Sequence, residues 1–118
     1  MGVDFGHEQD VLIGTRPRAR VEDAYRRLER EGDIPGRPAH FSAGALEAYG
    51  WALGRSPKAP VTGAVCLDGT PSSQLLTAEL DAAVVRLDDP TEAVGPRAEA
   101  AGAHDALAWL CGLIEERP

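Results

Sequence analysis

Ala106-Leu107-Ala108-Trp109-Leu110-Cys111-Gly112-Leu113-Ile114 carries no charged residue, and it is bracketed by His104-Asp105 and Glu115-Glu116-Arg117. Crossing a bilayer takes roughly 20 apolar residues, so the run is too short to span one. A helix that is apolar nearly all round is buried nearly all round. The stretch therefore predicts a central helix, over about 103–116, on which the other elements pack.

Working back from it, three more helices are expected. Val21, Ala24, Tyr25 and Leu28 recur at i, i+3, i+4 and i+7, one helical stripe. Glu22-Arg26 and Asp23-Arg27 add acid-before-base pairs four apart, which gives a helix over 20–31. Ser42 is a capping residue ahead of a glycine- and alanine-rich helix over 42–54. There Leu46, Tyr49 and Leu53 share one face and Ala45, Ala48 and Ala52 another. Thr70-Pro71 opens a third helix over 71–88, with threonine as cap and proline at the first helical position. Its core face is read as Leu76, Leu80, Val84 and Leu87, with Glu79, Asp81 and Arg86 off it. Asp89-Pro90 stops it.

Between these lie a polar arm (1–10), a short apolar run (11–13), a proline- and glycine-rich loop (32–40) and a segment at 61–67 read as strand or irregular packing. Thr91 to Gly102, with Pro96 and two glycines, reads as a loop or a single turn. The expectation is one all-α domain over 1–118, with about four helices around a buried C-terminal helix and short extended or irregular pieces. Its core is Val21, Tyr25, Leu28, Leu46, Leu53, Leu76, Leu80, Val84, Leu107, Leu110 and Ile114. Two Phe, two Tyr and two Trp among 118 residues leave the packing to leucine and alanine. Alanine has no side-chain entropy to lose in a helix, so closely approached helices are favoured.

The net charge of −7 is unevenly placed. Residues 1–60 carry nine basic and nine acidic groups, whereas residues 61–118 carry three and ten. Arg16, Arg18, Arg20, Arg26, Arg27 and Arg30 form a local basic cluster. An acidic chain is a poor general binder of nucleic acid, whose affinity rests on neutralising phosphates. The start has no basic segment followed by an apolar run, so no signal peptide is read there. A cytoplasmic protein with reduced Cys66 and Cys111 is expected.

No arrangement points to catalysis. His104 and Cys111 stand two turns apart, about 10 Å of rise, too far for one zinc ion. His7, His40 and Cys66 add no ligand spacing, and no Gly-x-Ser-x-Gly elbow or phosphate-binding glycine pattern occurs. No metal and no cofactor are expected. Tyr49 and Trp51 point about 200° apart on one helix, so one of them is expected at the surface, in a pocket or at an interface, with Trp109 as a further anchor. The preferred reading is a non-enzymatic interaction or accessory module that self-associates through its glycine- and alanine-rich helices. Two alternatives stay open. One is a nucleic-acid-associated regulator using the Arg16–Arg30 cluster. The other is a small-molecule binder or enzyme with a pocket lined by Trp51, Trp109 and His40 or His104.

Overall fold

A computed structural model describes residues 11–31, 39–65 and 70–116. It opens with a two-stranded antiparallel ribbon. β1 (Leu12–Ile13) pairs with β2 (Arg16–Pro17), Leu12 opposite Pro17 and Ile13 opposite Arg16. Four helices follow: α1 (Arg18–Glu31), α2 (Ala39–Ala52), α3 (Ser73–Asp88) and α4 (Val94–Leu110). The fold is all-α, as expected. α4 packs on α2 and α3, and α1 on α2. The arm at 1–10 and the loop at 32–38 lie outside the described residues, as does the part of the 61–67 segment from Cys66 on.

The last helix is displaced from its expected bounds. It begins at Val94, nine residues before the expected start, because Pro96 falls in the first turn, where the N–H it lacks has no intrahelical partner anyway. It ends at Leu110. Gly112 takes a left-handed φ of 79°, its N–H donates to Trp109 O, and Leu113 N–H donates to Ala108 O at 2.8 Å. That pair of bonds is a Schellman termination. The same motif ends α2, with Gly54 at φ 80°, Gly54 N–H donating to Trp51 O and Arg55 N–H to Gly50 O. α3 begins later than expected, capped by the Ser72 hydroxyl, which accepts from Leu75 N, not by Thr70. α2 starts before Ser42, so Ser42 is not its cap; its hydroxyl is buried with no hydrogen-bond partner among the described residues.

The α2/α4 seam explains the composition of both helices. A Cβ on Gly44 would lie 2.7 Å from the carbonyl carbon of Glu99, and one on Gly102 would lie 2.8 Å from that of Phe41. Backbone touches backbone, which only glycine permits. Ala45, Ala48, Ala52, Ala103 and Ala106 continue the small-residue faces, all buried. These stripes meet each other inside one chain. The expected pairing of copies through them is therefore replaced by an intramolecular contact.

The core joins all four helices: Val21, Leu28, Tyr49, Leu53, Leu76, Leu80, Leu107, Trp109 and Leu110 are buried. Tyr25 and Leu46 pack at its edge. Two expected core residues are not in it. Val84 is 41% exposed and Ile114 37% exposed. Ile114 lies past the end of α4. Val84 is turned out because the buried face of α3 runs through Leu76, Glu79, Leu80 and Ala83, about 40° around the helix from the expected face.

Candidate functional site

Two surfaces stand out once the framework is in place. The first is the end of the molecule where the β-ribbon meets the residues after α4. Thr15 N–H and the Thr15 hydroxyl both donate to Leu110 O, at 2.8 and 3.0 Å. Arg16 Nε donates to Trp109 O at 2.7 Å and Arg16 Nη2 to Ile114 O at 2.7 Å. The guanidinium also lies over the Trp109 ring, 4.9 Å from its centroid. A cation on helix-terminal carbonyls is favourable because the helix dipole is negative there. These bonds hold the ribbon and the tail together; Leu12 on the ribbon is 58% exposed, and Leu113 and Ile114 after α4 are 69% and 37% exposed.

The arginine cluster is divided among tasks. Arg16 closes α4. Arg18 Nη2 donates to Leu53 O at the end of α2, and its Nε lies 3.4 Å from Glu22. Glu22 also takes Arg26 at 3.5 Å and Arg55 at 2.8 Å. Arg20, Arg27 and Arg30 are on the exposed side of α1. Arg97, outside the cluster, closes α3 by donating to Leu87 O and Asp89 O. The sequence brought six arginines together, and the fold commits several of them to helix ends and to one carboxylate.

The aromatic residues are placed differently from expectation. Tyr49, Trp51 and Trp109 are all buried. Both faces of α2 are covered, so Tyr49 and Trp51 point opposite ways and still reach the core. Tyr49 meets Trp109 edge to face, with ring centroids 6.0 Å apart. The expected pocket of Trp51, Trp109 and a histidine does not form, since packed core fills that place. His40 is on the outside against Glu99 at 3.3 Å, and His104 is partly exposed beside Asp105 at 3.0 Å.

The second surface is a cleft of about 630 Å³ between α1, α2 and residues 55–63. Tyr25 from α1 and Leu46, Glu47 and Gly50 from α2 form one side. The Arg55 guanidinium lies over the Tyr25 ring, 5.0 Å from its centroid. The opposite wall, Ala59 to Gly63, is a closed turn in which Gly63 N–H donates to Ala59 O and Ala59 N–H to Ala64 O. Glu79 pins it. This carboxylate is only 5% exposed, and it accepts from Val61 N (2.9 Å), Thr62 N (3.1 Å) and the Thr62 hydroxyl (2.6 Å). Burial, then the charge of Glu99, pushes the Glu47 carboxyl up from its ordinary value, while Lys58 pulls it down. Among the described residues the lining contains no His or Cys; it offers donors and charged side chains.

Glu79 and the cleft were missed in the sequence, although a signal for Glu79 existed. Leu76, Glu79, Leu80 and Ala83 fall at i, i+3, i+4 and i+7, and a carboxylate inside an apolar stripe signals a buried acceptor with donors to satisfy. Among the described residues no three His, Cys, Asp or Glu side chains gather where they could hold a metal, and no helix is long and apolar enough to cross a membrane. Compared with protein-family models, with curated proteins and with solved structures, the chain gave no match in any of the three.

Proposed function

We propose that this chain is a non-enzymatic interaction module that pairs with a second copy of itself through the end built from the β-ribbon and residues 111–116. The supporting observation is the exposure of Leu12, Leu113 and Ile114 on two segments that Thr15 and Arg16 bind together. Apolar groups held in fixed positions at a surface mark interaction sites. The occupant follows from charge. Arg18 and Arg20 lead away from this end along α1, and Glu115 and Glu116 follow Ile114. A two-fold pair needs a self-complementary patch, and here the basic flank of one copy meets the acidic flank of the other around an apolar centre.

The test is the solution mass by light scattering at low and high salt. A dimer at both is expected, and it becomes a monomer with an unchanged circular-dichroism spectrum on Leu113→Glu. A monomer at every concentration overturns the reading. So does a dimer that Leu113→Glu leaves intact.

A further inference from the structure

The cleft is a separate surface, and nothing in the self-association reading uses it. We infer that it binds a small organic anion, a carboxylate head on an apolar body, with Lys58 and Arg55 taking the head and Leu46 and Pro60 the body. A volume of about 630 Å³ falls in the range of small-molecule sites, roughly 300–1,000 Å³.

Three features carry the inference. The wall is preformed. A buried carboxylate is a rare component of a core and requires full hydrogen bonding. Glu79 meets that requirement by fixing two consecutive backbone amides and one hydroxyl of the cleft wall. The polar groups that face the cleft are mostly donors. The Lys58 chain lies across Gly63, and its ammonium is set against Glu47, whose carboxyl it pulls down. Arg55 holds Glu22 through Nη2 and keeps further N–H groups for a ligand, since a guanidinium has five. Ser56 Oγ accepts from Lys58 N–H, which leaves its O–H to donate.

The third feature is the balance of charge and surface. Arg55 shares Glu22 with Arg18 and Arg26 and Lys58 is set against Glu47, so the charge left over suits a single negative charge better than a phosphate dianion. Leu46 and Pro60, both partly exposed, give the lining apolar surface that a bare inorganic ion does not use. Arg55 is held over the Tyr25 ring and by Glu22 before a ligand arrives, which reduces the ordering cost of binding.

The experiment uses phenylacetate as probe, with phenylacetamide as its neutral counterpart and inorganic phosphate as the bare anion. Binding is followed by amide chemical shifts in the full chain. It is repeated in the Leu113→Glu variant, so that failure of self-association and failure of the cleft are read separately. Phenylacetate is expected to move the amides of Gly50, Ser56, Lys58 and Val61, with both comparison probes at least about tenfold weaker, the equivalent of one charge-assisted contact. Lys58→Gln is expected to weaken phenylacetate by about tenfold with the thermal midpoint held; Arg55→Gln is expected to weaken it by a similar factor, while Arg30→Gln leaves it unchanged. Equal binding of acid and amide, equal binding of phosphate, indifference to Lys58→Gln, or no shift at the cleft amides overturns the inference.

Discussion

Replacing Gly102 with alanine sets two physical effects against each other. By helix propensity alone, alanine inside a helix is better than glycine by about 1 kcal/mol. In the α2/α4 seam the added Cβ would lie 2.8 Å from the carbonyl carbon of Phe41 and 3.0 Å from the Ala45 nitrogen. Both are backbone atoms, so no side-chain rotation relieves the overlap, and the helices must separate. A radial gap of about 0.5–1 Å forfeits a quarter to a half of the dispersion attraction at each contact, and α2 with α4 is the most extensive helix pair in the fold. Overpacking costs about 1–3 kcal/mol, at times more, and rigid backbone on the far side places this case at the upper end. Subtracting the propensity gain leaves a net loss of about 2 kcal/mol or more. For a chain of this length that lowers Tm by roughly 6–12 °C. The assay is thermal and urea unfolding followed by the fluorescence of the buried Trp51 and Trp109. Gly50→Ala is the comparison on α2, because its Cβ would meet only the Tyr25 ring edge, at 3.4 Å, and it should be neutral or gain up to about 1 kcal/mol. A Gly102→Ala protein as stable as the parent, or more so, refutes the seam.

Three further outcomes are expected. Glu79→Ala strands the buried Val61 amide and the part-buried Thr62 amide and should cost about 2–6 kcal/mol in urea unfolding, at about 1–3 kcal/mol for each unpaired group; Glu79→Gln keeps one acceptor oxygen and should cost clearly less, so equal losses would count against the pinning role. The folded Glu47 carboxyl is raised above its unfolded value of 4.5, first by burial and then by Glu99, so the stability it contributes is fully present below that value and is lost as pH rises through the folded one. Glu47→Gln should therefore gain stability relative to the parent as pH climbs from 4 to 7, and a pH-independent difference would contradict this. Arg16→Gln removes the guanidinium bonds to Trp109 O and Ile114 O and the cation over the indole; it should lower stability by about 1.5–3 kcal/mol and shift the Trp109 emission, and an unshifted spectrum would remove Arg16 from that role.

Much of the fold could be read from patterns in the chain. The stripe Val21, Ala24, Tyr25, Leu28 gave α1, and Leu76 with Leu80 gave α3. Of the apolar run Ala106–Ile114, expected to be a helix buried nearly all round, only Ala106 to Leu110 is helical and buried; Gly112 ends the helix, and Leu113 and Ile114 are exposed. What failed had local causes. Pro96 and Gly102 read as breakers, yet a first-turn proline is harmless and a glycine in a seam is a contact surface. Glu79 lies off the face Leu76, Leu80, Val84 and Leu87, yet it shares the i, i+3, i+4, i+7 pattern of Leu76, Leu80 and Ala83 that the fold buries. The cleft was not legible at all, because it depends on how the turn at 59–63 folds back toward α2. The use of Arg16 and Arg18 on helix ends was hidden for the same reason. Their acceptors are the carbonyls of Trp109, Ile114 and Leu53, tens of residues away in the chain and silent in sequence.

The bond from Glu79 to residues 61 and 62 also sets a clock. Surface turns usually trade their amide protons with water quickly, because little holds them shut. Here the Val61 and Thr62 protons point at a carboxylate carried by α3, and α3 is held mainly by α4. Their exchange follows the opening of a helix and not the fraying of a loop. Deuterium uptake at these two positions should therefore keep pace with uptake in α3 as conditions are made less stabilising. A short irregular segment thereby inherits the lifetime of a sixteen-residue helix, and the cleft keeps its shape for as long as that helix stays docked.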